Sequence, residues 1–252
     1  MAWVTSRHAI AALISRGARG ELFVTRDAQN TRAVQELISQ AKKAHIPIRQ
    51  IDPRKLREEA GSSARGLALY APAGRDEKAD GRQPIVLRSW LEAHNTETEP
   101  GVIVALDHIT DPQNMGAILR SAHLFGVSLV IVPARRSALG GDAVLRASAG
   151  ASAMVPTTLV PNLRGALEQC RERGWWIYAA DTGGDELPNA QIHDRCVLLL
   201  GAEGKGISPG VQAVVDATLT IPMRPQQKTT VDSLNVSVAA GILLYEVSRR
   251  GR

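Results

Sequence analysis

The stretch GVIVALDHITDPQNMGAILRSAHLFGVSLVIV, residues 101–132, decides the fold. Residues 101–106 and 128–132 are short, unbroken apolar runs rich in β-branched side chains, the pattern of strands buried on both faces. Between them Asp111 suits a helix N-cap and Pro112 the first helical position. Met115, Ile118, Leu119, Ala122 and Phe125 then recur at helical spacing. Strand, helical crossover and strand make a parallel pair. Further strand-like runs follow at 175–180, 195–200 and 217–221, with helical segments between most of them. The carboxyl-terminal part is therefore α/β, a parallel sheet covered on both faces.

Ligands of such sheets lie off the carboxyl ends of the strands, and three groups of polar residues fall there. The first is Asn114, Gly116 and Arg120, left over from the buried stripe of the first crossover helix. Gly116 and Arg120 are four apart, so the glycine is expected to clear space beside the arginine. The second is LGAEGKGIS, residues 200–208, whose three glycines and one glutamate suggest a backbone-lined turn close to a ligand. It is not a P-loop, because Gly206 is followed by Ile207, and a dinucleotide fingerprint begun at Gly204 would need glycine at Pro209. The third is Ile221-Pro222-Met223 together with SLNVSVAAGI, residues 233–242.

Residues 236–247 read as a helix that is apolar nearly all round. Ser233 is placed to cap it, whereas capping by Ser233 leaves the amide of Asn235 unexplained. The helix has more apolar circumference than one sheet face can cover, so a second copy of the chain is expected to bury part of it.

The amino-terminal part alternates helix and strand as well: helices at 6–15, 31–44 and 53–59, strands at 21–25, 48–51 and 67–71. This is a small α/β domain, rich in arginine and without a catalytic constellation, and reads as a docking domain or an RNA contact. A composition break between Ala73 and Pro100 reads as a linker carrying one short helix at 87–93. The expected organisation is a first domain at 1–75, a linker at 76–99 and a second domain at 100–252.

Composition sets the outer bounds. The chain has 252 residues, enough for one large domain or two modest ones. Its formal charge of +5 and pI of about 9.6 favour an anionic partner. Cys170 and Cys196 are far apart and lack ligand spacing, which argues against a zinc site or a disulfide framework. No histidine has ligand-like spacing, and no metal is expected. No run of eighteen apolar residues exists, and the first residues lack the apolar core of a signal peptide, so the expectation is a soluble, cytoplasmic chain.

Taken in order, Asn114-x-Gly116-x-x-x-Arg120, Gly201-x-Glu203-x-x-Gly206 and Ile221-Pro222-Met223 with Ser233-Leu234-Asn235-Val236-Ser237 resemble the three motifs of the SpoU/TrmH ribose methyltransferases of the SPOUT superfamily. The first domain is similar to the L30e-like RNA-binding domain of the bacterial 23S rRNA guanosine-2′-O-methyltransferase branch, through SRHAIAAL (6–13) and ARGLALYA (64–71). Two departures stand out: Ala64-Arg65 occupies the place of a usual His-Gln, and the link 224–232 is longer than usual. The resemblance implies a trefoil knot in the second domain and a homodimer. It also implies S-adenosyl-L-methionine as cofactor and methyl transfer to a ribose 2′-hydroxyl, in a guanosine of 23S rRNA.

Within that resemblance Arg120 is the key residue. A guanidinium has no acceptor, so its role is read as holding the phosphate beside the ribose and favouring loss of the hydroxyl proton. Asn114 and Glu203 would orient Arg120, Glu203 by a charge-assisted pair, while Ser233 and Asn235 close the site. Cofactor contacts are expected from Thr182, Gly183, Gly201, Glu203, Gly204, Gly206, Ile221, Met223, Ser233 and Leu234. RNA contacts are expected from Arg7, Arg65 and Arg120. Three alternatives stay open: a tRNA ribose methyltransferase, a non-catalytic ribosomal-type RNA-binding protein, and a nicotinamide-dependent oxidoreductase, against which the missing glycine fingerprint argues.

Overall fold

The structure is a computed structural model that describes residues 2–15, 17–61, 64–71, 85–94, 99–135, 142–148, 151–223 and 233–250. It divides into two compact units, residues 1–84 with 140–154, and residues 85–139 with 155–252.

The first unit is built on β1 (Ala2–Val4), α1 (Arg7–Ser15), β2 (Glu21–Val24), α2 (Arg32–Lys43), β3 (Ile48–Gln50), α3 (Pro53–Ala60) and β4 (Leu67–Ala71). Its sheet runs β1-β4-β2-β3, with β2 and β3 parallel and the other pairs antiparallel. Ile10 and Ile14 of α1 and Val34, Leu37 and Ala41 of α2 pack on Leu22, Val24, Leu67 and Leu69 of the sheet. On the other face α3 places Leu56 against Ala68, flanked by Trp3 and Phe23. Strand β1 was not among the strands read from the sequence; it is defined by its antiparallel pairing with β4.

In the second unit α4 (Leu87–Ala93) precedes β5 (Gly101–Leu106), α5 (Pro112–Leu124) and β6 (Leu129–Pro133). The helix α4 falls within the stretch read as linker, yet Leu87 and Leu91 are buried in the core of this unit beside Ile103 and Leu129. A partly buried bond from the Thr158 hydroxyl to the Ile85 carbonyl (2.6 Å) ties it down further. After β6 the chain passes to α6 (Asp142–Ala147) and a 3₁₀ turn at Ala151–Ala153, which pack with β1 and α1 of the first unit. It returns as β7 (Thr157–Val160), α7 (Leu163–Arg171), β8 (Trp176–Glu186), β9 (Arg195–Leu200), α8 (Pro209–Gln212), β10 (Ala217–Thr220) and α9 (Val236–Arg250).

The six strands lie in the order β10-β8-β9-β5-β6-β7, all parallel. The central strand β9 is buried at every residue, and Val104, Ala105 and Leu106 of β5 are fully buried. The edge strand β7 escapes a sequence reading because Thr157 and Thr158 dilute its apolar run and Leu159 faces solvent. Strand β8 runs six residues past its expected end, since its pairing with β10 jumps from Ala179 to Asp185 across the Thr218/Leu219 step. That bulge is made possible by Gly183 at φ 82° and by Gly184, where a Cβ would stand 2.2 Å from the Thr218 carbonyl oxygen. Thr182 and Gly183 therefore lie inside a bulged strand and not after it.

Candidate active site

Asp111 caps α5 as expected, its carboxylate accepting from the Gln113 amide (3.1 Å) and the Asn114 amide (3.3 Å). With the first turn fixed, the Asn114 side chain reaches the loop after β9, where its Nδ2 donates to Glu203 Oε1 (3.1 Å). The same oxygen accepts from Asn235 Nδ2 (2.6 Å) and from the Val236 amide (3.3 Å). Asn235 Nδ2 also reaches Asn114 Oδ1 (2.9 Å). Three sequence motifs separated by up to 121 positions thus close on one carboxylate oxygen.

The cap of α9 is Asn235 and not Ser233. Its Oδ1 accepts from the Ser237 amide (3.0 Å), the Val238 amide (3.4 Å) and the Ser237 hydroxyl (2.6 Å). One amide side chain therefore serves two purposes: its oxygen satisfies the helix start and its nitrogen binds the cluster. Ser233 stands two residues further out, exposed on the cavity wall.

The cavity beside this cluster encloses about 510 Å³ at the carboxyl ends of β8, β9 and β10. Of the expected cofactor contacts, Thr182, Gly201, Glu203, Gly204, Gly206, Ile221, Met223, Ser233 and Leu234 all line it; Gly183 does not. Gly201 is required by packing, since a Cβ there would sit 2.4 Å from the Gly206 carbonyl carbon. The loop closes on itself through paired bonds between Ala202 and Gly206 (3.1 and 2.8 Å), with Gly204 at φ 74° and Gly206 at φ 62° in the left-handed region.

The sequence reading missed Asp181, Thr220 and the apolar lining by Leu200, Leu219, Val236 and Ala239. Asp181 carried a usable signal, a carboxylate at the end of an apolar strand run. The Thr220 hydroxyl donates to the Asp181 carbonyl (2.9 Å) and accepts from the Gly184 amide (2.8 Å), which pins the bulge that shapes the wall.

Arg120 is placed differently from the expectation. It is exposed on α5, six residues past Asn114, and among the described residues it makes no hydrogen bond or ion pair, with Glu203 or otherwise. Six residues at 100° each leave it about 120° around the helix from Asn114. Glu203 Oε1 is taken by the two asparagines and a backbone amide, and no bond joins Glu203 to Arg120. Gly116 is buried within α5. Arg7 and Arg65 are exposed in the first unit. The link 224–232 lies outside the described residues, and among those described no group of acidic, histidine or cysteine side chains has the arrangement of a metal site. No described helix is long and apolar enough to cross a membrane.

This arrangement is that of an α/β domain with a polar cluster and a cavity at its strand ends, and comparison with known proteins places it further. Residues 101–245 match the SpoU rRNA methylase family, and the chain belongs to that family. A tRNA/rRNA methyltransferase of Mycobacterium ulcerans, otherwise uncharacterized, is 35% identical over 233 residues, covering 92% of this chain and 71% of its own length. A TrmH-family protein from Porphyromonas gingivalis superposes with a TM-score of 0.71 at 26% identity, covering 98% of this chain and 89% of its own. The SpoU methyltransferase AviRb from Streptomyces viridochromogenes, in complex with AdoMet, shares the fold at 23% identity, with a TM-score of 0.70 over 99% of this chain and 89% of its own.

Proposed function

We propose that, as an RNA methyltransferase of this family, the protein transfers a methyl group from S-adenosyl-L-methionine to the 2′-hydroxyl of an RNA ribose, in a guanosine of 23S rRNA. The observation that carries this reading is the convergence of Asn114 and Asn235 on Glu203, which lines the cavity. The residues present suit the cofactor. Leu200, Leu219, Ile221 and Leu234 offer apolar walls for an adenine, and the carboxylates of Asp181 and Glu203 suit a cationic sulfonium and ammonium. A volume of about 510 Å³ is ample for a ligand of that size.

When bound, S-adenosylmethionine supplies an electrophilic methyl group. The protein's part is to hold and to orient. The loop 201–206 and the bulge at 181–182 line the binding space, while the Asn114–Glu203–Asn235 cluster fixes the first turns of α5 and α9 relative to it. Arg120, exposed and unengaged on α5, is free to take the phosphate next to the target ribose. Arg7 and Arg65, exposed in the first unit, are read as RNA contacts of that unit.

The protein acts as a homodimer in this reading. One face of α9 is buried through Val236, Ala240, Leu243, Leu244 and Val247, yet Val238, Ile242 and Tyr245 on the same helix are 49%, 36% and 57% exposed. These three fall at i, i+4 and i+7 on one face of α9, and an exposed apolar stripe of this kind suits an interface; Leu124 at the end of α5 is 71% exposed as well. Sedimentation should give a dimer at micromolar concentration; a stable monomer would remove this part of the reading. The function itself is tested by mapping 2′-O-methyl sites in rRNA and tRNA from cells with and without the protein. Loss of a single 23S guanosine methylation is expected. Loss confined to tRNA overturns the substrate, and no change in either overturns the activity.

A further inference from the structure

The loop between β9 and α8 carries Gly201, Gly204 and Gly206, and glycine gives a backbone more conformations to lose on ordering than any other residue. A loop of that composition keeps a ligand-binding shape only if other groups fix it. The paired bonds between Ala202 and Gly206 close its tip but leave its two ends to be placed.

One segment of the chain places them. Asp107, the residue after β5, donates its amide to the carbonyl of Leu200 (2.8 Å), the last residue of β9. Its Oδ2 accepts from the amide of Ser208 (2.8 Å), the residue before α8. Further along the same segment, Asn114 holds the middle of the loop at Glu203 (3.1 Å). Start, middle and end of the loop 200–208 are thus tied to residues 107–114, and the ties at both ends belong to Asp107.

Asp107 is 1% exposed, and it is the one acidic side chain buried among the described residues. A carboxylate is costly to bury, and packing alone would be served by an apolar residue. What the carboxylate adds is a charge-assisted bond to Ser208, shorter and stronger than a bond between neutral groups. Asp107 itself does not line the cavity, whereas Leu200, Gly201, Ala202, Glu203, Gly204 and Gly206 do.

We propose, on the reading that S-adenosylmethionine occupies this cavity, that Asp107 is a positioning residue for the cofactor. It clips together the two ends of the loop 200–208 and so sets the shape of the wall that the loop presents to the ligand. Its effect passes through the loop backbone and not through contact with the ligand.

The test separates positioning from stability alone. Asp107→Ala removes the acceptor for the Ser208 amide. Its calorimetric Kd for S-adenosylmethionine and for S-adenosylhomocysteine should rise alike, by about 10- to 100-fold, because the loop's shape is lost and no charge facing the cofactor is. In kinetics the loss should appear in the KM for S-adenosylmethionine and not in the KM for RNA. Asp107→Asn keeps an oxygen acceptor at the same place and should recover most of the affinity. Asp107→Cys has nearly the volume of aspartate but only a weak acceptor, so it should bind as poorly as Asp107→Ala while leaving less of a void. Amide hydrogen exchange reads the clip directly. The Ser208 amide should be protected in the cofactor-free wild type and in Asp107→Asn, and should exchange faster in Asp107→Cys. An unprotected Ser208 amide in the wild type overturns the proposal whether or not the variants fold. So does wild-type affinity in Asp107→Ala or Asp107→Cys, an Asp107→Asn variant as weak as either, or a lowered melting temperature with affinity unaltered. Wild-type protein that binds no S-adenosylmethionine overturns instead the cofactor reading on which the proposal rests.

Discussion

At its carboxyl end the six-stranded sheet breaks into glycine loops, a bulge and polar side chains; at its amino end the same strands begin among aromatic rings. Arg195, the first residue of β9, lies 4.6 Å from the Trp175 ring centroid and donates to the carbonyls of His94 (3.1 Å) and Arg173 (3.4 Å). Trp90 stacks on His94, and Trp176 on His193 at 3.8 Å. Glycine serves both ends for different reasons. At Gly101 a Cβ would meet Trp175 Cη2 at 2.9 Å, so the residue is small to let a side chain pack. At Gly201 the obstructing atoms are backbone, and the residue is small so that a loop can close beside a ligand space. The carboxyl end opens into a cavity of about 510 Å³, larger than the one of about 350 Å³ beside Gly101, His193 and Asp194. It is there that the loop glycines and the bulge shape the wall, whereas the amino end is dominated by aromatic packing.

If that division holds, changes at the carboxyl end should remove chemistry and leave stability, and changes at the amino end the reverse. The largest effect is expected at Arg120. Arg120→Ala should lower methyl transfer by about 10²–10³-fold, with cofactor affinity by calorimetry unchanged. Arg120→Lys should rescue poorly, because the planar fork is lost. Normal turnover of Arg120→Ala at saturating RNA would make it a binding residue only.

Gly201→Ala comes next. The added methyl forces the 201–206 loop apart and should weaken S-adenosylmethionine binding by at least about tenfold, roughly 1.4 kcal/mol. Unaltered calorimetric affinity would detach that loop from the ligand.

At the amino end Arg195→Ala should cost about 2–4 kcal/mol through lost packing and charged hydrogen bonds. The melting temperature should drop by about 4–16 °C, with turnover per folded molecule unchanged. A selective loss of turnover would break the contrast between the ends. The smallest effect is expected in the first unit. Arg65→Ala should weaken RNA binding modestly and reduce the salt slope by about one, leaving turnover at saturating RNA intact. The cysteines offer a control that should show nothing. Burial pushes Cys170 and Cys196 up to about 12, so neither presents a thiolate at neutral pH and alkylation should track global unfolding.

Much of the second unit was legible beforehand because its strands are continuous apolar runs and its helices carry stripes, both of which are local patterns. β5, α5, β9 and the capping of α5 by Asp111 all follow from spacing within a dozen residues. Strands β1 and β7 were not: β1 is defined only by its pairing with the distant β4, and β7 has its apolar run diluted by threonines. The packing of α4 was hidden because a seven-residue helix next to a polar break looks the same whether or not something covers it.

The sequence by itself determined the parallel sheet, the three polar groups at its strand ends and the glycines between them, because strand patterning and backbone freedom are properties of neighbouring residues. Only the tertiary structure decided that Asn235 is the cap of α9, that Glu203 binds two asparagines and not Arg120, and that β8 bulges to shape the cavity wall. Each of those depends on which groups meet across distances of up to 121 positions, and a hydrogen bond between distant residues leaves no periodic trace in the chain.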